Sequence, residues 1–237
     1  MLFRSEYLHQ MRVGLRRLRL ALALPRDEAW VEASRPLRDR LRRLSRQLGE
    51  ARNWDVFVHE ILRPMLAHCG PQQLAGLRVR AWRQRAAALA AARQAVRSSE
   101  TTRLWLDLAR LMVSRGVAPD DVAGAGVLAA QSLDRHYRQL QARLGDPDGT
   151  DRLHQLRISA KKLRYVTEFF AELYPRKKVR RFLRPLANLQ EVPGAFNDTC
   201  VAQQMVSKAA EGVRPLDPQA RGMALGWIAA EIGRAHV

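Results

Sequence analysis

The sequence has little of what several classes of protein require. Its 237 residues include only two cysteines, Cys69 and Cys200, which are too far apart for a metal or redox motif and predict a reduced, cytoplasmic protein. No apolar run approaches the roughly 18 residues that cross a bilayer. The first residues also lack the apolar core of a signal peptide. We therefore expect no membrane association, and a secreted protein with one disulfide is the less favoured alternative.

Signatures of phosphoryl-transfer and hydrolytic enzymes are also missing. The chain has no G-x-x-x-x-G-K-[ST] phosphate loop and no E-x-E-x-K run that could hold magnesium. Asp55 and His59 lie four residues apart, with His68 and Cys69 following, but this pattern is more typical of a surface hydrogen bond than of a metal site. We expect no catalytic residue, no metal and no cofactor, and interpret the chain as not an enzyme.

Charge of one sign is present in large excess. There are 41 Lys+Arg against 23 Asp+Glu, giving a formal charge of +18, and only five of the basic residues are lysines. In a compact fold these positive side chains repel one another, so the excess predicts a polyanionic partner. The alternative is that a GC-rich genome favours arginine codons and that much of the charge has no function.

Apolar residues recur at helical spacing almost throughout, and no alternating strand pattern of useful length occurs. The sequence therefore predicts an all-α fold. Pro25 and Gly49 are the expected helix stops, and Pro64 is a candidate kink. The expected helices cover residues 5–24, 36–48, 52–67, 71–97, 100–115, 119–144, 151–174, 178–192, 195–211 and 218–230.

One segment near the start of the chain is repeated in its second half. L-H-Q-M-R-V-G-L-R-R-L-R at 8–19 matches L-H-Q-L-R-I-S-A-K-K-L-R at 153–164, at an offset of 145 residues. The same offset relates Gly49 to Gly194. We infer a duplicated helical unit and predict two similar antiparallel bundles, related by pseudo-two-fold symmetry, with a basic central groove.

The repeats are expected at about 1–118 and 119–230. Only eight residues precede His9 of the first motif, so the helix equivalent to 119–144 is expected to be missing from the first repeat. The last residues, E-I-G-R-A-H-V at 231–237, match what a common sequencing adaptor encodes. We interpret them as an adaptor-derived tail and the chain as the product of a truncated gene.

Each repeat places basic side chains on one face of its predicted helix. At about 100° per residue, one arc of roughly 80° holds the members of each set. No acidic residue lies between these basic side chains, so they repel one another unless an anion binds. The planar guanidinium of arginine suits phosphate because it donates two parallel hydrogen bonds. The alternative is that these side chains form a solvated helix face with no ligand. The two sets are His9, Arg12, Arg16 and Arg19, and His154, Arg157, Lys161 and Arg164.

Other basic residues add to these sets without matching between the repeats. Arg42 follows a core leucine and is expected to point toward the groove. Lys177, Arg181 and Arg184 share a face of a later helix and are interpreted mainly as exposed charges.

These motifs resemble those of the CHAD (conserved histidine α-helical domain) family. The likeness rests on 8–19 and 153–165, and L-G-E-A-R-N-W-D-V at 48–56 and L-Q-E-V-P-G-A-F-N-D at 189–198 reinforce it. It implies one bacterial, all-helical domain over residues 1–230 that binds inorganic polyphosphate in a basic cavity without catalysis. The contacts it implies are His9, Arg12, Arg16, Arg19, Arg42, His154, Arg157, Lys161 and Arg164.

Two departures from the family pattern concern the expected contacts. Asn53 stands where the family has an acid, and Ala187 and Asn188 stand where a lysine or arginine is expected. The second repeat is therefore expected to bind less strongly. Polyphosphate granules and an upstream triphosphate tunnel domain are further partners that the resemblance implies.

Two other functions remain open. The chain could be a helical nucleic-acid-binding protein, or a scaffold or accessory module of a triphosphate-hydrolysing enzyme. Bases need aromatic platforms, and Tyr165, beside the second basic set, is the stacking candidate. The remaining larger aromatics fall mostly at core spacing: Trp54, Trp82, Trp105, Phe169 and Phe170.

Overall fold

The computed structural model describes residues 5–114, 122–144, 152–211 and 216–235, without the side chains of residues 5, 122–123, 152–154, 188–198 and 232–235. Within these residues every regular element is helical, which confirms the predicted fold class. The helices are α1 (Ser5–Ala21), α2 (Glu28–Val56), α3 (Arg63–Cys69), α4 (Ala75–Arg97), α5 (Ser99–Ser114), α6 (Val122–Leu144), α7 (Arg152–Phe169), α8 (Arg176–Ala210) and α9 (Pro218–Ala235).

The second helix begins earlier and ends later than the sequence predicts. Asp27 caps it, since its Oδ1 accepts a hydrogen bond from the Trp30 backbone N–H at 2.8 Å. Pro36 lies inside the helix, where a proline costs about 3 kcal/mol. Leucines at helical spacing are buried along α2 and offset this cost. The same packing carries the helix past Gly49, the expected stop.

A π-helical turn, Phe57–Leu62, joins α2 to α3, where the sequence predicts an ordinary helix with a kink at Pro64. The wider turn buries Phe57, Val58 and Leu62. Pro64 follows at the second residue of α3, and a proline ring clashes with the carbonyl four residues earlier, which here belongs to Glu60 inside the π-turn. The irregularity therefore lies in the turn before the proline, where the ring disfavours regular α-helical hydrogen bonding.

The chain divides into two compact units. The first comprises Met1–Leu15, Arg40–Trp105 and Ala195–Val237, and the second comprises Arg16–Asp39 and Leu106–Gly194. The divisions fall inside α1, α2, α5 and α8. The expected break near residue 193 is absent, and α8 runs through it. The repeat boundaries and their pseudo-symmetry stay predictions.

Each unit has its own apolar core. In the first unit α2, the π-turn, α3 and α4 pack with the later part of α8 and α9 around Trp54, Phe57 and Met205. In the second unit α6 and α7 form the principal pair. Leu140 packs with Leu163 at one end of that pair, and Leu24 packs on Ala129 and Val166 at the other.

Two further sequence predictions concern the cysteines and membranes. Cys69 and Cys200 are free thiols, so neither forms a disulfide. In the part of the chain that the structure describes, no helix is both long enough and apolar enough to cross a membrane.

Asp55 is buried in the first unit and bound by Arg85. The Arg85 Nε and Nη2 lie 2.8 and 2.7 Å from Asp55 Oδ1, and Arg52 Nη1 lies 3.6 Å from Oδ2. The His59 Nε2 is 3.7 Å away, beyond hydrogen-bond distance. The surface Asp55–His59 hydrogen bond expected from the sequence is therefore wrong, because the carboxylate is 2% exposed and arginine neutralises it.

We expect Asp55→Ala to lower the free energy of unfolding by about 2–3 kcal/mol, because it leaves the partly buried Arg85 without its counterion. Asp134→Ala is the matched control, since Asp134 pairs with Arg138 at 2.9 Å on the exposed surface. That control should cost about 0.5 kcal/mol or less. Urea denaturation measures both, and equal small losses would show that the buried pair does not stabilise the first unit.

Candidate anion-binding site

The first basic set is divided between the two units. His9 is exposed and Arg12 half-buried on the part of α1 that belongs to the first unit. Arg16 and Arg19 are half-buried and belong to the second unit. Arg42 is exposed on α2 in the first unit. Leu8, Leu15 and Leu22 bury the apolar side of this stretch.

In the first unit, the guanidinium of Arg12 lies close to Gly49. A Cβ at position 49 would come within 4.0 Å of the Arg12 Cζ and Nη2. This is an ordinary van der Waals distance, so a Cβ would fit there, and α2 continues through Gly49 instead of ending as the sequence suggested. The next residue, Glu50, is engaged by Lys208, whose Nζ lies 2.7 Å from its Oε1.

In the second unit, Tyr165 holds Arg16 in place. The Arg16 Nη1 donates a hydrogen bond to the Tyr165 hydroxyl, and the guanidinium carbon lies 4.3 Å from the ring centroid. A residue of the first basic set thus meets the helix that carries the second set. A guanidinium has five N–H donors, so one bond to tyrosine still leaves capacity for an anion.

The second basic set lies along α7. Arg157, Lys161 and Arg164 are half-buried side chains of this helix. His154 also belongs to α7, but its side chain lies outside the described residues. Nothing in the structure tests whether these residues bind an anion, so their role stays a prediction.

A cleft of about 440 Å³ between α7 and α8 contains four arginines. Arg164 comes from α7, whereas Arg176, Arg180 and Arg184 come from α8 at successive intervals of four residues. This spacing places the three α8 side chains about 6 Å apart along one helix face. The rest of the lining is mainly short or apolar: Ala171, Val179, Leu183 and Ala187.

Two of these arginines, Arg176 and Arg180, were not predicted from the sequence. The predicted face held Lys177, Arg181 and Arg184, whereas the structure brings Arg184 together with Arg176 and Arg180. The buried Leu186 and cleft-lining Val179 and Leu183 fix the orientation of the helix. The four-residue spacing was the available signal. Ala187, one of the positions where the family has a basic residue, lines the same cleft.

Glu168 is the acidic group in this lining. Its Oε1 accepts a hydrogen bond from Arg164 Nε at 2.7 Å, as an i,i+4 pair on α7. The two side chains are 30% and 39% exposed, so solvent screens their attraction only in part. Glu168 thus partly neutralises the positive potential to which an incoming anion would respond.

Comparison with known proteins identifies the family. A family model described as the CHAD domain matches residues 2–207. The chain belongs to the CHAD domain family. A solved CHAD domain from the plant Ricinus communis is similar over 98% of this chain and 78% of its own, with 32% identity and a TM-score of 0.77. The resemblance inferred from the two basic motifs is confirmed.

A second solved structure, PptA from Streptomyces chartreusis, shares the fold of this CHAD domain. It is 20% identical, with a TM-score of 0.62, and the match covers 97% of this chain and 84% of that one. A search of curated proteins gave no match.

Replacing Glu168 tests the electrostatics of the cleft. We expect Glu168→Gln to raise the affinity for tripolyphosphate about three- to ten-fold, since it releases Arg164 and removes one repelling charge. Glu32→Gln makes the same change of charge at an exposed position on α2 and should alter affinity less than two-fold by long-range attraction alone. Isothermal titration calorimetry measures both, and equal effects of the two variants would contradict the local role of Glu168.

Proposed function

We propose that this CHAD domain binds inorganic polyphosphate without chemically altering it. The observation that carries the proposal is the cleft between α7 and α8, where Arg164, Arg176, Arg180 and Arg184 converge. Its lining residues include four arginines and one glutamate, so a net positive charge lies along this concave surface. A linear polyanion neutralises such a surface while releasing its own counterions.

The form of the cleft suits a chain of phosphates better than a single one. The arginines of α8 form a row, with about 6 Å of helix between successive side chains. Each guanidinium offers a planar pair of N–H donors that matches phosphate oxygens. A flexible chain can satisfy several members of the row in turn, whereas one phosphate group reaches only one or two.

The row on α8 also compensates for a loss in the family pattern. Ala187 supplies no charge where a basic residue is expected, yet Arg184 and Arg180 face the same cleft on the preceding turns. The second repeat was expected to bind less strongly because of this alanine. We propose instead that the α8 arginines restore its contacts in a different register.

We propose no catalytic step for this domain. The cleft offers four arginines and one glutamate that is already paired with Arg164, an arrangement that binds charge. The sequence carries neither a phosphate loop nor an E-x-E-x-K run. Polyphosphate granules and an upstream triphosphate tunnel domain remain proposed partners, and a cytoplasmic location a proposed setting.

Nucleic acid is the second candidate ligand, and one contact disfavours it. Arg16 covers the ring of Tyr165, the stacking candidate. The expectation that the other aromatics are mostly core residues is wrong for three of them: Trp82, Trp105 and Phe169 are 45%, 42% and 38% exposed. The two tryptophans lie on α4 and α5, not on the helices that carry the arginine cleft.

A titration with long-chain polyphosphate at several salt concentrations tests the proposal. We expect log affinity to fall with log salt concentration with a slope near −4, if about six phosphates are neutralised and single-strand behaviour applies. Fluorescence anisotropy of an end-labelled chain measures this. A salt-independent affinity would contradict the electrostatic mechanism. Displacement of the label by single-stranded DNA at an equal phosphate concentration would favour nucleic acid.

The double variant Arg16→Ala/Lys161→Ala tests the residues assigned from the motifs. We expect it to weaken polyphosphate binding about ten- to hundred-fold, since the two lost charged contacts together contribute about 1.4–2.8 kcal/mol. Arg103→Ala/Arg110→Ala removes the same charge from exposed positions on α5 and should weaken binding less than three-fold. Equal affinities of the two double variants would contradict the assignment.

A further inference from the structure

A second group of basic side chains lies on the second unit, outside the basic sets and the arginine cleft. It contains Arg135 and His136 from α6, Lys162 from α7 and Arg26 from the connection between α1 and α2. Lys162 is one residue beyond Lys161, which places it about 100° around α7 from the second basic set. This group has no role in the proposed polyphosphate contacts.

The packing of the second unit places the segments that carry these four residues next to one another. Leu24 is buried against Ala129 of α6 and Val166 of α7, so the connection that follows it, with Arg26, lies beside both helices. Lys162 is one turn before Val166. Leu140, which lies one turn beyond His136 on α6, packs with Leu156 and Leu163 of α7. His136 and Lys162 therefore occupy the same level of the α6–α7 pair.

His136 is half-buried and has a defined tautomer. Its Nδ1 lies 2.8 Å from the carbonyl oxygen of Ser132. A carbonyl only accepts hydrogen bonds, so Nδ1 carries the proton and Nε2 is the atom that takes up a second one. Burial lowers the pKa of His136 most, and the charges of Arg135, Lys162 and Arg26 lower it further, although the bond to Ser132 opposes the shift.

The surroundings of Arg135 likewise disfavour its charged form. Burial lowers its pKa, and the neighbouring charge of Arg26 adds to the effect. Its Nε is buried and makes no hydrogen bond to any described residue. The nearest acid along α6, Asp134, pairs with Arg138 instead. A partly desolvated guanidinium among other cations is unfavourable unless an anion compensates it.

We propose that Arg26, Arg135, His136 and Lys162 form a second anion site, which takes a divalent tetrahedral oxyanion such as sulfate or phosphate. Arg26 and Lys162 are exposed and accessible to such a ligand, and Arg135 is half-exposed. The oxyanion stabilises the protonated imidazole, so binding is coupled to proton uptake at His136 Nε2. Affinity therefore rises as the pH falls through the range in which His136 titrates.

Sulfate is the probe, because its charge is constant between pH 5 and 8 while that of phosphate is not. The side-chain signals of the six histidines are followed by NMR against pH, and His136 is assigned by its absence in His136→Gln. Sulfate should raise the pKa of His136 by about one unit more than sodium chloride at the same ionic strength. Such a shift corresponds to about ten-fold tighter binding to the protonated form.

Two variants decide whether the ligand is held at this group. Lys162→Gln should raise the pKa of His136 without sulfate and at least halve the further rise that sulfate causes. Lys177→Gln is the matched control, since Lys177 is exposed on α8, and it should behave as the unmodified chain. Equal shifts in sulfate and chloride would overturn the proposal, because they show screening alone. An undiminished sulfate effect in Lys162→Gln would also overturn it.

The same measurement separates this site from polyphosphate binding. In Arg16→Ala/Lys161→Ala, the effect of sulfate on His136 should persist, because neither substituted residue belongs to the group. Its loss in that variant would assign the sulfate effect to the first site and overturn the proposal. The effect of long-chain polyphosphate on the pKa of His136 is then compared between the unmodified chain and the double variant. This comparison shows whether the group binds one phosphate unit of a long chain or only a free oxyanion.

Discussion

Repulsion between guanidinium groups is the constraint on which the arrangement of this CHAD domain depends. The chain carries 18 more positive than negative formal charges, so its acids can neutralise only part of its surface. For the partly buried Arg85, the structure supplies a counterion in Asp55. Where four arginines line the open cleft between α7 and α8, Glu168 is the acidic residue in the described lining. The difference separates charges that stabilise the fold from charges that are available to a ligand.

The fold class was predictable from the sequence because leucines at helical spacing determine which faces are buried. Helix boundaries were not, since single residues were judged without their tertiary partners. Gly49 looked like a stop, yet α2 continues through it to Val56. Pro36 looked like a helix start, yet Asp27 caps the helix nine residues earlier. In both places, packing along α2 outweighs the local preference of one residue.

The candidate site was predictable only as far as the repeated motif extends. Matching spacing in two copies selected Arg16 and Arg164, and the structure places both in the second unit. The α8 arginines escaped because the offset of 145 residues matches only Arg180 with an arginine, Arg35, and because Lys177 and Arg181 offered an equally plausible helical face. Only the position of α8 beside α7 decides which face lines the cleft. Comparison between repeats cannot detect a contact that has moved to a new register.

Tyr165 shows how the same residue can serve a polyanion site and disfavour a base-stacking one. Its ring and hydroxyl both engage Arg16, which limits the motion of a long side chain before any ligand arrives. Immobilising such a side chain costs about 0.5–1.5 kcal/mol on binding, so a guanidinium already held in place binds an anion with a smaller entropic loss. The same contact covers the aromatic face that a nucleobase would need. Tyr165 therefore favours a ligand that carries negative charge but has no aromatic rings, such as a chain of inorganic phosphates.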